Sequence, residues 1–415
     1  MKRALVAIAL VASAAGVASA QPQRYRPGTV FKNPEAQAPT IDLYSFDRGA
    51  VIFEKFGHSA ICIRYHEPGR EAVCFNYGIT EFGGPPVSLV WGFLRSHQKF
   101  WAAPVPEREI VRFYEWEDRT IWRQTLPLTD AQAREIEDVL WNDPVLRMRD
   151  DDEDHYYYYD HFFDNCTTRL RDMIDHATGG VLSKGSDVDY PQTFRQIGRA
   201  GMAEFPPIIA LSDFVVGRTL DRKPTLWEAM FLPTVLRDEV ARRMNAPPVL
   251  VYQRKGPDFP LDGPSDRGYV LLIALLFYLP LAVAIGFARG VRAALVWATV
   301  PLVLMGTLIW LVAIISSIPG LRWNEAIFLF VPFDVLLPIL KKEPRRKYAQ
   351  IRAGMVVWAS IFCAVGIFKQ PLWIPIVCAF VPHALIAWIV PMLAASRASV
   401  PAATPAADAA VAKAS

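Results

Sequence analysis

From Tyr269 to Ala395 the chain is mostly apolar, interrupted by short charged or proline-bearing stretches. A run of this length and composition is compatible with a helical membrane bundle and with little else. Length and breaker positions divide it into about five segments: Tyr269–Phe287, Ala293–Ile315, Glu325–Leu340, Ile351–Phe368 and Leu372–Ala395. The third is short and carries Pro332 and Pro338, which predicts a tilted, broken or re-entrant path. If the preceding half lies outside the cytoplasm, Arg289 and Arg292 follow the first span on the inside. The next inside loop, Lys341 to Lys347, has five basic residues in seven positions, whereas the outside loops around Pro319–Asn324 and Lys369–Gln370 have one each. That asymmetry is expected of a multi-pass inner-membrane protein. Asp334 and His383 fall within spans, where an ionisable group needs a partner or a cavity. Hydrogen bonding within the bundle and a functional role stand level for both on sequence.

The first residues agree with this orientation. Lys2 and Arg3 precede an apolar stretch, Ala4 to Val17, and Ala18-Ser19-Ala20 supplies the small residues of a cleavage site, so a signal peptide is expected at 1–20. Residues 21–265 read as an ordinary globular domain, 266–395 as the membrane part, and 396–415, rich in Ala and Pro, as a disordered cytoplasmic tail. The 52% hydrophobic content therefore comes mainly from one half. A net charge of +3 with no basic stripe in the outer domain excludes nucleic acid as a partner. The sequence has no His/Cys metal spacing and no phosphate loop, so no metal or cofactor is expected. The acidic run Asp150–Asp154 lacks the glycine and spacing of a calcium loop and reads as a solvated turn.

In the outer domain, Phe56 to Tyr65 and Glu71 to Gly78 both alternate with a strand period, and His66-Glu67-Pro68-Gly69-Arg70 between them is turn chemistry. A hairpin centred on Pro68 pairs positions whose numbers sum to 136. Ile61, Ile63, Val73, Phe75 and Tyr77 then share the core face, and His58, Cys62, Cys74, Asn76 and Gly78 share the other. His58 and Asn76 become diagonal neighbours, close enough for the amide to orient the imidazole. Cys62 and Cys74 lie opposite each other, positioned for a cross-strand disulfide in an oxidising compartment.

A helix is expected from Cys166 to Ala177, with Asp164 or Asn165 as N-cap and Gly179-Gly180 as stop. Cys166, Leu170, Met173, Ile174 and Ala177 share its inward face. Cys166 sits in the first turn, where the macrodipole and exposed N–H groups favour a thiolate. The other two cysteines, Cys363 and Cys378, are in membrane spans, so a Cys62–Cys74 bridge would leave Cys166 as the single free thiol of the outer domain. A buried cysteine is more often simple core filler; a Cys/His enzyme and a plain core cysteine are level on these features alone. Tyr156–Tyr159 reads as a strand feeding this helix or as an interfacial aromatic patch. Phe205–Leu211 reads as an acyl groove or, more simply, as a buried helix start.

The runs DNCTTRLRD (Asp164–Asp172), GHSAI (Gly57–Ile61) and FNYG (Phe75–Gly78) resemble the N-terminal periplasmic domain of the Lnb family, lipoprotein N-acyltransferase B. Asp221 to Pro224 and Trp227 to Pro233 resemble a later block of the same family, so the likeness spans roughly residues 40–245. The order of His and then Asn-Cys on a helix is also similar to permuted papain-like enzymes of the NlpC/P60 and lecithin:retinol acyltransferase type. The resemblance implies an α+β papain-like outer domain, with Cys166 as nucleophile and His58 as general base. It implies Asn76 or Tyr77 as third member, and Asn165, Thr167 and Arg169 as residues that meet substrate. The activity implied is transfer of an acyl chain from the sn-2 ester of a diacylglyceryl lipoprotein to the amine of its own N-terminal cysteine, through a Cys166 thioester. The backbone N–H of Cys166 or Thr167 would hold the oxyanion. The competing readings are a peptidoglycan peptidase or amidase of NlpC/P60 type and a binding protein that keeps the fold without the chemistry.

Overall fold

The computed structural model describes residues 37–51, 54–81, 86–148, 152–260, 267–287 and 289–392. The expected signal peptide, Asp150 and Asp151 of the acidic run, and the tail from Ser396 lie outside them. Two compact units are present. One comprises the chain up to Ile209 together with Thr219–Pro264 and Ile315–Arg322; the other comprises Ala210–Arg218, Ser265–Ile314 and the chain from Trp323.

The first unit is built on seven antiparallel strands, β1 (Thr40–Phe46), β2 (His58–Arg64), β3 (Val73–Ile79), β4 (Lys99–Pro106), β5 (Ile121–Thr125), β6 (Tyr157–Tyr158) and β7 (Val249–Tyr252), in the order β6-β4-β3-β2-β1-β5-β7. Four helices bear on the argument: α1 (Pro86–Leu94), α2 (Glu107–Trp116), α3 (Asp130–Trp141) and α4 (Cys166–Ala177). The hairpin register is the expected one, with Ile61 opposite Phe75, Cys62 opposite Cys74 and Ile63 opposite Val73. Ile61, Ile63, Val73, Phe75 and Tyr77 bury against Ala133, Ile136 and Leu140 of α3 and Leu170 and Ile174 of α4.

The opposite face is buried as well. Tyr44, Phe46, Ala60, Cys62 and Cys74 pack with Ile110 and Tyr114 of α2, and Cys62 and Cys74 are joined in a disulfide. Helix α2 buries Ile110 and Tyr114 on the side it turns to the sheet and exposes Phe113 and Trp116. The outer domain is thus a mixed α/β domain in which the sheet is covered on both sides, so a site on it is confined to a sheet edge or a strand end.

Among the described residues, three apolar helices are long enough to cross a membrane: Gly268–Phe287, Val291–Ile315 and Trp373–Met392. The expected third segment takes the broken path that its prolines predict. It forms two 3-10 turns, Glu325–Phe328 and Pro332–Leu336, where Pro332 begins the second and the backbone before it is extended. The expected fourth segment, Ile351–Phe368, is instead the apolar end of a helix from Lys342 to Ala364 that starts inside the basic loop and ends before Val365. The last span passes from α-helix to a π-helical turn at Leu385–Ile389, just beyond Pro382. Among the described residues, three of the five expected segments are helices with the length and apolarity of a full span.

Asp334 and His383 meet. Asp334, fully buried, accepts from Arg352 Nε at 2.9 Å and from the Tyr348 hydroxyl at 3.0 Å, and lies 3.3 Å from His383 Nε2. Arg352 also donates to the Leu329 carbonyl at 2.6 Å, and His383 Nδ1 bonds the Ala379 carbonyl at 2.6 Å.

Candidate active site

Cys166 is the first residue of α4. Asn165 is the N-cap: its Oδ1 accepts from the N–H groups of Thr167 and Thr168 at 2.9 and 2.8 Å, while Thr168 Oγ1 accepts from the Asn165 N–H at 2.8 Å. Asn165 Nδ2 donates to the carbonyls of His161 and Phe231 at 2.9 and 3.1 Å. The Trp227–Pro233 block closes on the same helix, for Arg171 donates to the Trp227 carbonyl at 2.8 Å and stacks on the Trp227 ring at 3.9 Å. The start of α4 is thereby fixed from both directions, and Asp164, the other expected cap, is engaged by Arg169 at 2.7 and 3.0 Å.

His58 opens β2 immediately after Gly57, whose φ is +86°. A Cβ at Gly57 would stand 2.8 Å from the Phe46 carbonyl oxygen, so glycine alone lets the chain enter the strand at this point. The imidazole stacks against Phe46 and Tyr114, with centroids 6.1 and 5.9 Å away. Its Nε2 is 2.5 Å from Asn76 Oδ1. An amide oxygen can only accept, so Nε2 carries the proton and Nδ1 is left as the basic nitrogen.

The Cys166 thiol is buried and lies within electrostatic reach of the His58 side chain. Burial alone raises a thiol pKa; here it is outweighed by the charge and hydrogen bond of His58, with help from Ser59 and Thr167, and the thiol is brought down to about 7. Opposite the sulfur is Gly78, with φ +86° at a register shift in β3. A Cβ at Gly78 would lie 3.6 Å from both Cys166 Cβ and Tyr159 Cε2, so the glycine keeps the strand close to the thiol.

Of the expected site residues, the structure brings together Cys166, His58 and Asn76. Tyr77 is elsewhere: its side chain is in the core and its hydroxyl donates to Asp143 at 2.6 Å, because neighbours along a strand point to opposite faces. Thr167 is fully buried, its hydroxyl 3.7 Å from the Cys166 sulfur and donating to Ser59 Oγ at 3.2 Å. Its N–H is taken by Asn165 Oδ1. Asn165 is a buried cap. Arg169, paired with Asp164, lies 3.8 Å over the Tyr157 ring and lines a cleft of about 510 Å³ with Tyr77, Asp143, Phe163 and Asp172. Cys166, His58 and Asn76 do not line this cleft.

Tyr159 was not expected at the site. It stacks on Phe100 at 4.4 Å and borders Gly78 together with Cys166; burial first, then the nearby thiolate, raise the pKa of its hydroxyl well above the usual range. The pairing of Tyr157 with Phe100 sets this placement, a contact 57 positions apart in sequence that local patterning does not reveal.

Among the described residues, no group of three or more His, Cys, Asp or Glu is placed to hold a metal ion. No curated protein and no solved structure matches the chain. Asp221–Pro224 and Trp227–Pro233, which the sequence likens to a later family block, lie beyond the one family match that is found. Residues 36–200, which hold His58, Asn76 and Cys166, match the family model of the Lnb N-terminal periplasmic domain.

Proposed function

We propose that this protein is a thiol acyltransferase of the inner membrane. Its sheet domain is a papain-like domain of permuted NlpC/P60 type on the periplasmic side, which moves an acyl chain from a lipid ester to an amine. The family match of the domain suggests a lipoprotein-processing membrane enzyme. Three helices of membrane-spanning length support an inner-membrane location. The observation that carries the finer reading is a buried thiol at a helix start with its pKa lowered to about 7 by an imidazole whose other nitrogen is bonded to Asn76.

In this reading the Cys166 thiolate attacks the ester carbonyl, and the oxyanion is held by the Cys166 N–H at the helix start. Collapse expels the alkoxide, which takes a proton from the His58 imidazolium and leaves as the lyso-lipid alcohol. Cys166 is then an acyl thioester and His58 is neutral. An amine attacks the thioester and passes its proton to His58 Nδ1, and the thiolate departs, restoring the ion pair. The donor is the sn-2 chain of a diacylglyceryl lipoprotein and the acceptor its N-terminal amine. Asn76 holds the ring so that Nδ1 serves both steps.

The test uses full-length protein in nanodiscs with a diacylated lipopeptide bearing a free N-terminal amine. Mass spectrometry should find the acyl chain moved to the amine with an ester lost from the glyceryl group, and no change with Cys166→Ala. Cleavage of peptidoglycan stem peptides in a Cys166-dependent way, with the lipopeptide untouched, would replace this reading with the peptidase.

A further inference from the structure

Helix α1, Pro86–Leu94, has the sequence PVSLVWGFL and no charged residue. Val90 is 56% exposed, Trp91 54% and Phe93 41%, an apolar face of a kind that soluble domains seldom turn to water. Arg95 comes directly after the helix, Lys99 opens the next strand, and the exposed Tyr158 is beside His97 at 5.3 Å. An uncharged apolar turn, a tryptophan and flanking basic and tyrosine side chains make up the composition of a segment lying at a bilayer surface.

A second observation is independent of composition. The Leu94 carbonyl, at the end of α1, accepts from the Ser317 N–H at 2.9 Å and from Ser316 Oγ at 3.0 Å. Ser316 and Ser317 are the residues that follow the last residue of the Val291–Ile315 helix, one of those long enough to span a membrane. The end of α1 is therefore bonded to the residues at which the chain leaves a span, where the bilayer surface must be. From α1 a series of rings leads inward: Phe93 is 5.6 Å from the His161 ring, His161 is 5.2 Å from the Tyr159 ring, and the Tyr159 ring and Cys166 both border Gly78.

We propose that α1 is the membrane-docking element of the sheet domain: Val90, Trp91 and Phe93 enter the phospholipid bilayer, and the Phe93–His161–Tyr159 series is the route by which an acyl ester reaches Cys166. The docking stands on α1 and Leu94 alone; the route rests on the acyl-transfer reading. With the side chains in the acyl region, Arg95 and Lys99 face the headgroup phosphates, and the ester linkage of a lipid sits at the depth where the ring series starts.

The experiment places the photo-crosslinker p-benzoylphenylalanine at Trp91, and in a second protein at Val90, in the full chain in nanodiscs of phosphatidylethanolamine and phosphatidylglycerol. Trp116, 78% exposed on α2, is the comparison position. Irradiation should add the mass of a phospholipid to the α1 peptide at both positions and at most one-tenth as much at position 116. Equal labelling at all three positions, or crosslinks from α1 to protein in place of lipid, would overturn the proposal. Cross-linking needs no turnover and proceeds equally in a Cys166→Ala background. A lipid adduct without acyl transfer would keep the docking and remove the route, and transfer without an adduct would overturn both while leaving the acyl-transfer reading.

Discussion

Two histidines are held in polar networks, one in each half of the chain, and they differ in what their partners leave over. In the membrane half, His383 bonds Asp334 through Nε2 and the Ala379 carbonyl through Nδ1, while Asp334 is shared among His383, Arg352 and Tyr348. Both ring nitrogens are occupied by the bundle's own atoms, and such a network holds short irregular turns together where a continuous helix is absent. In the sheet domain, His58 is fixed through Nε2 alone, and its second nitrogen is left for the thiol of Cys166. A buried imidazole that is bonded on both sides to structural groups is cement; one bonded on one side and facing a nucleophile can move protons.

The comparison is most directly strained by removing the reacting pair. Cys166→Ala should reduce acyl transfer by roughly 10⁴-fold or more, and His58→Ala by about 10²–10⁴-fold, with thermal unfolding of the purified protein little changed. The membrane network should behave in the opposite way. Arg352→Ala leaves Asp334 buried without its main cation and should cost about 3–5 kcal/mol of stability in detergent. The rate of Cys166 alkylation should be unaffected, and replacing Asp334 and Arg352 together by leucine should cost less than either single change. An Asp334 or Arg352 variant that folds normally but alters thiol reactivity would break the distinction.

Cys62 and Cys74 belong to neither network and tie the hairpin that carries His58 and Asn76. Replacing both with alanine should lower stability by roughly 3 kcal/mol, as expected for a crosslink closing so short a loop, and leave the pH dependence of Cys166 in place. Asn76→Ala should lower turnover by about 10–100-fold, since other groups that orient an imidazole have effects of that size. A thiol whose pKa is lowered to about 7 is ionised above that pH and protonated below it. Iodoacetamide labelling of Cys166 should therefore rise with pH to a plateau, half-maximal near 7. In His58→Ala burial is no longer opposed by the imidazole, and the midpoint should move up past the ordinary thiol value of about 8.5.

Much of the site was legible because its determinants are local. The turn at His66–Arg70 and the period-2 alternation on either side fix the register, and with it the Cys62–Cys74 pairing and the His58–Asn76 contact. The Asn165-Cys166 pair before an apolar helical period puts the thiol in the first turn of α4. What was not legible depends on partners distant in sequence. Tyr159 comes beside Cys166 only because β6 pairs with β4, and the second face of the sheet is covered only because α2 folds back on it. In the membrane half, apolar composition marked the three long helices and the prolines the break within Glu325–Leu340, but not the partners of Asp334. Glu325–Leu340 has the hydropathy of a span, yet Pro332 and the Asp334 network hold it in short turns.

The central claim is that Cys166 carries the acyl chain with His58 as its base. The direct measurement is intact-protein and peptide mass spectrometry of the full chain after a single exposure to diacylated lipopeptide whose amine is blocked. The account predicts one acyl chain on the peptide containing Cys166, released by hydroxylamine and by a free amine, and absent from Cys166→Ala and His58→Ala. An acyl chain on any other residue, or unchanged acylation in His58→Ala, would contradict it.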